Sequence, residues 1–414
     1  MNIKKLNYKN AAVKGLLALS AAALLAVPAG SISRINAYAD VIYSPGIQRE
    51  GGPGGAVTNP PAAESNASAG DIDMSAVVSI NSFVPAGYFD MAGAEVPGAV
   101  VANEAVYSYG TLQQDIMELK SRYSSLMSFR SLGQTADNRD VYEIIVGNEN
   151  AGTHILINAA LHGREYITSN LVMKQLEYIL YGAANGGSFD GTAMSTWLQN
   201  VCFHFVPMDN PDGVTISQYG PDGLNNASLK SLVQNAYATD VANDKTHLDF
   251  ASYLRRWKAN GRGVDLNENF SFAWNQAEST LTQPSAQWYK GNAPESEAES
   301  QMLVRLLNSR HYKAVLNYHA MGNVIYWDFT ENQVREKCRQ LMNNVRYLTG
   351  YPIYTDRAGG GMKEYICTKA DPLASVTIEV GRTASPVDPA ELPEIWAKNK
   401  LVPLYTMKWA AERG

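Results

Sequence analysis

Residues 156–180 read LINAALHGREYITSNLVMKQLEYIL. The run LINAAL is short and mostly apolar, as expected of a strand buried on both faces, and LVMKQLEYIL repeats with helical periodicity. His162 and Glu165 fall at the join, three residues apart. That spacing admits a polar turn as readily as half of a metal centre, because HxxE arises by chance in a chain of this length. A catalytic zinc requires a third protein ligand and an open position.

The same texture extends from Val106 to the end of the chain. DVYEIIVG (140–147), HILINAAL (154–161), VCFHFVPM (201–208), KAVLNYHA (313–320), NVIYW (323–327) and SVTIEVG (375–381) are expected strands. Helical patterns occupy 112–127, 171–183, 296–310, 331–350 and 393–413. Strands interleaved with helices over about 300 residues predict one large α/β domain, with helices on both faces of a central sheet. In such sheets sites gather at strand ends, where HGRE and NYHA both fall.

Upstream the composition differs. Residues 1–39 carry Lys4, Lys5, Lys9, Lys14 and Arg34, no acidic residue, the apolar run GLLALSAAALLAVPAG and an A-x-A pattern at Ala37 and Ala39. This predicts a signal peptide and a secreted, possibly wall-associated, protein. Its removal changes the balance from 34 basic against 40 acidic residues to 29 against 40, a net charge of −11. That argues against nucleic acid as a partner and leaves no polybasic membrane anchor. No later segment is long and apolar enough to span a bilayer, so no stable membrane insertion is expected after cleavage. Residues 40–105, rich in Gly, Pro, Ala and Ser, read as a linker or flexible arm ahead of a catalytic domain over 106–414. Cys202, Cys338 and Cys367 allow at most one internal disulfide and lack CxxC spacing. Cys202 reads as a small buried hydrophobe.

Of the six histidines, five besides His162 are available as a third ligand. His154 sits in a strand, His204 lies between Phe203 and Phe205, His311 begins a strand, and His247 is in a polar insertion; a structural or solvated role suits all four. His319 ends a strand that gives out into a Gly-containing turn. With His162 and Glu165 it completes two imidazoles and a carboxylate, a donor set used by catalytic zinc. Glu379, at the end of SVTIEVG, is placed to act as general base. Glu295, Glu297 and Glu299 read as the exposed start of a helix and as poor substitutes for it, leaving Glu364 as the alternative.

HGRE, NPDGV (210–214), GVDLNENF (263–270), YKGNAPESEAES (289–300), LNYHAMGNVIYW (316–327) and TIEVG (377–381) follow one another in an order that resembles the M14 zinc carboxypeptidases. The resemblance covers about Val106 to Gly414. It implies a mixed, roughly eight-stranded sheet between helices, and one Zn2+ held by His162, Glu165 and His319, with Glu379 as base and acid. It implies Asp265 as the carboxylate that orients a ligand histidine, and Arg164 and Asn267 as substrate contacts. It also implies an oxyanion-stabilising cation upstream of GVD, for which Arg255, Arg256, Lys258 and Arg262 compete.

The chain departs from that family at Glu268. Ordinary carboxypeptidases carry an arginine there to grip the terminal carboxylate, whereas a glutamate favours an ammonium. The acidic residue, with AGGGMKEYI (358–366), resembles the branch that cleaves γ-D-glutamyl-diaminopimelate bonds in wall peptides. A peptide or muropeptide substrate is therefore expected, with ordinary carboxypeptidase activity and non-catalytic wall-peptide binding as the alternatives. Asp356 falls near the family's substrate-capping tyrosine, with Tyr354 and Tyr365 nearby.

Overall fold

The computed structural model describes residues 72–80, 96–277 and 279–414. The expected signal peptide lies outside them. The strands are β1 (Met127–Gln134), β2 (Asp140–Gly147), β3 (Thr153–Ala159), β4 (Ser188–Phe189), β5 (Thr192–Ala193), β6 (Val201–Val206), β7 (Ala314–His319), β8 (Val324–Asp328), β9 (Ile353–Thr355) and β10 (Ser375–Glu379). The helices are α1 (Tyr109–Arg122), α2 (Ile167–Ala184), α3 (Met194–Asn200), α4 (Pro211–Tyr219), α5 (Ala227–Ala242), α6 (Phe250–Arg255), α7 (Ala298–Ser309), α8 (Arg335–Thr349), α9 (Met362–Thr368), α10 (Leu392–Asn399) and α11 (Val402–Arg413).

Eight strands form one mixed sheet in the order β1-β2-β6-β3-β7-β10-β8-β9. Its centre, β6-β3-β7-β10, is parallel. The β1-β2, β2-β6 and β8-β10 pairings are antiparallel. Alternation along β3 sends Ile155, Ile157 and Ala159 to the face covered by α2, α8, α10 and α11. Leu156 goes to the face covered by α7 and α9. Both faces are apolar because both are covered, which is why these strands read as continuous apolar runs.

All six expected strands form. Others were not legible: β1 carries Ser128, Arg130 and Ser131 and is half exposed, and β9 has three residues. The expected helix at 393–413 is two, α10 and α11, with Pro403 in the first turn of the second. Proline tolerates that position because it has no N–H to donate. His311 precedes β7, where it is exposed and paired with Asp371 at 2.5 Å.

Within the segment expected to be a linker, the described parts are docked. Ala76, Val77 and Val78 are buried. Asn344 of α8 accepts from the Val78 N–H at 2.9 Å and donates to the Ala76 carbonyl at 3.1 Å. Glu177 of α2 accepts from the N–H groups of Val100 and Val101. Apolar side chains at those positions supply the burial that their Gly- and Pro-rich surroundings cannot. Among the described residues, no helix is long and apolar enough to cross a membrane. Cys338 and Cys367 are buried free thiols with sulfurs 3.7 Å apart.

Candidate active site

The C-terminal ends of three adjacent parallel strands bring the chemistry together. His319 is the last residue of β7 and pairs in register with Glu379, the last residue of β10. On the other side of β7, β3 ends at Ala159 and leads through Ala160, with φ of +50°, into the turn that carries His162 and Glu165. Neighbouring strands run about 4.8 Å apart, so their terminal side chains can meet.

That turn is fixed from below by glycine. A Cβ on Gly163 would lie 2.4 Å from the carbonyl of Gly213 in the first turn of α4. The HGRE and NPDG backbones therefore touch, and α4 itself is started by Asn210, whose side chain accepts from the Gly213 N–H. Asn210 also donates to the Leu161 and Ala259 carbonyls, both at 3.1 Å.

His162, Glu165 and His319 are each buried and face one another. His162 Nδ1 lies 2.8 Å from Glu165 Oε1 and 3.2 Å from His319 Nδ1, and His319 Nδ1 lies 3.1 Å from Glu165 Oε2. The Ala320 N–H donates to that same oxygen at 3.1 Å. Burial opposes ionisation of Glu165, but His162 and His319 hold its carboxyl well below the usual range.

Behind the cluster, Asp265 Oδ1 stands 3.3 Å from His162 Nε2, a contact close in distance but off the line of a good hydrogen bond. Its other oxygen meets Lys258 Nζ at 3.1 Å and accepts from the Trp288 N–H at 3.0 Å. Asp265 is fully buried; Lys258 and His162 hold it ionised against the cost of desolvation. Glu379 is partly exposed, and burial beside the Glu165 carboxylate pushes its carboxyl up to about 8.

The cations expected to compete for an oxyanion separate clearly. Arg255 and Arg256 are exposed. Arg262 is 60 % exposed at its side chain, with Nε 3.9 Å from Glu297 Oε2. Lys258 is joined to the cluster through Asp265 and sits 4.3 Å over the Trp288 ring. Arg164 is half-buried, with Nη1 3.4 Å from the Arg256 carbonyl and from Gln287 Oε1. Trp288, which no sequence signal marked, supports both Asp265 and Lys258.

Asn267 accepts from the Met362 N–H at 3.0 Å, which ties the GVDLNE segment to the start of α9. Glu268 is 4 % exposed, and a Cβ on Gly360 would meet its carbonyl at 2.6 Å. The side chain of Glu268 is thus deeper than an exposed specificity residue. Of the capping candidates, Tyr365 is tied to Asn308 at 2.9 Å and Tyr354 packs on Tyr326 at the sheet edge. Asp356 is half-exposed in the loop after β9.

One expectation for the acidic residues is corrected. Glu297 and Glu299 are buried, not exposed, because Asn260 Nδ2 donates to both, at 2.9 and 3.2 Å. Glu364 is also buried, with Lys363 Nζ at 2.9 Å.

The donor set passes a simple test for a cation. Metal–nitrogen and metal–oxygen bonds of about 2.0–2.2 Å put tetrahedral donors roughly 3.3–3.6 Å apart, and the three contacts, at 2.8, 3.1 and 3.2 Å, need to open by only a few tenths of an ångström.

A mixed sheet between helices, with a His–Glu–His cluster at its parallel strand ends and a further glutamate beside it, defines a metallopeptidase. The zinc carboxypeptidase family model matches residues 112–402, and the chain belongs to that family. Gamma-D-glutamyl-L-diamino acid endopeptidase 1 of Lysinibacillus sphaericus is 29% identical over 299 residues, which are 72% of this chain and 71% of that protein. Among solved structures, carboxypeptidase A from Helicoverpa armigera aligns with a TM-score of 0.56 at 17% identity, covering 76% of this chain and 75% of that one. Thrombin activatable fibrinolysis inhibitor aligns with a TM-score of 0.57 at 16% identity, covering 75% and 77%. The latter two show the fold.

Proposed function

We propose that the enzyme is exported and hydrolyses γ-D-glutamyl-diamino acid bonds of cell-wall peptides with one zinc ion. The observation that carries the hydrolytic reading is the buried convergence of His162, Glu165 and His319 beside Glu379. The substrate reading is supported by the name of the Lysinibacillus relative and by Glu268, which stands where ordinary carboxypeptidases resembling this chain carry a cation.

His162, Glu165 and His319 would hold the zinc, whose Lewis acidity polarises a carbonyl and makes water a nucleophile at neutral pH. Asp265 holds His162 from behind, so that Nδ1 keeps its lone pair toward the cluster. Glu379, ionised once a cation on Glu165 offsets the neighbouring negative charge, takes a proton from the attacking water at its carboxylate and hands it to the leaving amine. Lys258, anchored by Asp265, is the best-supported cation for steadying charge on the carbonyl oxygen, as judged by its link to the cluster. Arg164 and Asn267 contact and orient the peptide, as the resemblance to the family implies. Glu268 attracts the distal ammonium of a diamino acid, and its burial strengthens that attraction once the ammonium reaches it.

The test is a comparison of γ-D-glutamyl-diaminopimelate, γ-D-glutamyl-lysine, an analogue lacking the distal amine, and a simple C-terminal L-amino-acid peptide. Preference for the two amine-bearing substrates by roughly ten- to a hundredfold in kcat/KM is expected, and Glu268→Arg should abolish it. Cleavage of the simple peptide alone would establish an ordinary carboxypeptidase. Absence of turnover on all four with zinc bound would establish a binding protein.

A further inference from the structure

A second group of donors lies at the opposite end of β3, on the face packed by α7. His154 pairs in register with Cys202, and Leu156 with His204, so His154, Cys202 and His204 project to one side of the sheet. His154 Nδ1 is 3.0 Å from His204 Nε2, and the donor atoms of all three residues lie within 4.8 Å of one another. Cys202 and His204 are fully buried, and His154 is 9% exposed. Glu143, from β2, accepts at 2.7 Å from His204 Nδ1 and is itself buried and paired with Arg130 at 2.6 Å.

We propose that His154, Cys202 and His204 form a second metal site, which takes one thiophilic transition-metal ion of the Zn2+ class, with Glu143 orienting His204. The chemistry follows from the hydrogen bonding. A proton on His204 Nδ1, given to Glu143, leaves a lone pair on Nε2, and it is Nε2 that faces His154 and lies in the group with Cys202. A carboxylate behind a ligand histidine is the usual means of fixing its tautomer and raising its basicity. Bonds of about 2.0–2.1 Å to nitrogen and 2.3 Å to sulfur require donors roughly 3.3–3.7 Å apart, which these side chains meet with small rotamer shifts. Imidazole and thiolate together select Zn2+ and its softer neighbours over Mg2+ or Ca2+.

Burial pushes both imidazoles below their ordinary range and so keeps them neutral ligands. The same burial pushes the Cys202 thiol up to about 12, so ligation forms a metal–sulfur bond and releases the thiol proton to solvent. Arg310 Nη1, 3.4 Å from His204 Nε2, is the competing cation, and its half-buried side chain must turn away from Nε2 when the ion binds. The bound ion would tie β3 to β6, and through Glu143 to β2, at the end of these strands opposite the hydrolytic centre.

The hydrolytic cluster contains no sulfur, which separates the two sites spectroscopically. Reduced, chelator-treated enzyme titrated with Co2+ should bind two equivalents, the second bringing a near-ultraviolet thiolate-to-cobalt charge-transfer band. Cys202→Ser should lose that band and one equivalent while keeping hydrolysis within about twofold, whatever the substrate proves to be. His154→Ala should lose the same equivalent, which guards against a Cys202 variant that folds poorly. Anomalous diffraction from metal-soaked wild-type crystals should place a peak among His154, Cys202 and His204. Absence of a sulfur band and of that peak in the wild type, or a band that survives Cys202→Ser and so belongs to Cys338 and Cys367, would overturn the proposal.

Discussion

Glu379 carries the sharpest consequence for a single residue. Its place beside His319 is set by strand register and not by a flexible loop, so exchanging carboxylate for amide changes chemistry with little change in shape. Glu379→Gln is expected to retain stoichiometric zinc while kcat falls by at least about a hundredfold, the usual contribution of a positioned general base. Metal analysis beside single-turnover kinetics checks this; a near-normal rate would move the base elsewhere. His319→Ala should instead lose both the metal of the hydrolytic cluster and turnover, since it removes a donor from the contacts that define that cluster. Zinc retained at the wild-type stoichiometry in that variant would remove His319 from the ligand set. HxxE and a strand-end histidine made these residues visible in the sequence. Trp288 was not visible, because its contribution is a backbone N–H to Asp265 and a ring face to Lys258.

At the scale of elements, the site rests on the turn after β3 pressing against the start of α4. Gly163→Ala puts a methyl group 2.4 Å from the Gly213 carbonyl, and backbone cannot yield as a flexible side chain can. Overpacking of this kind costs roughly 1–3 kcal/mol. The variant should melt several degrees lower and bind zinc more weakly, because relief requires the turn carrying His162 and Glu165 to lift; calorimetry and competition with a chelator measure the two effects. Unchanged metal affinity would show that the turn absorbs the methyl without moving its ligands. The strands that position the site were readable because burial on both faces leaves continuous apolar runs. By contrast, β1 and β9, short or half-exposed, leave no such trace.

Over the whole molecule, buried charge ties stability to pH. Burial, reinforced by the Asp212 carboxylate, pushes Glu299 up to about 8 from an ordinary 4.5. In the unfolded chain this group ionises near 4.5, while in the folded chain it keeps its proton to about 8. Its contribution to stability is therefore fully present below about pH 4.5 and is lost as pH rises toward 8, at roughly 1.4 kcal/mol per pH unit as an upper limit. Glu299→Gln, which can keep the hydrogen bond from Asn260, should match the wild type near pH 5 and melt higher at pH 8. Denaturant titrations at the two pH values test this; a gap that does not widen with pH would mean that Glu299 is ionised in the native state.

The sequence by itself determined the layered α/β architecture, the strands that end at the site, and the His162, Glu165, His319 and Glu379 constellation. These follow from local periodicity and from residue types whose chemistry is scarce. Only the tertiary structure decided which cation is tied to Asp265, that Glu297 and Glu299 are buried on Asn260, and that residues 76–78 dock against α8. It also decided that His154, Cys202 and His204, each a bland core residue when read along its own strand, share one face of the sheet. Periodicity reports whether a side chain points inward, but not what it meets there. That depends on strand order and register between segments about 50 residues apart in sequence, as His154 and His204 are.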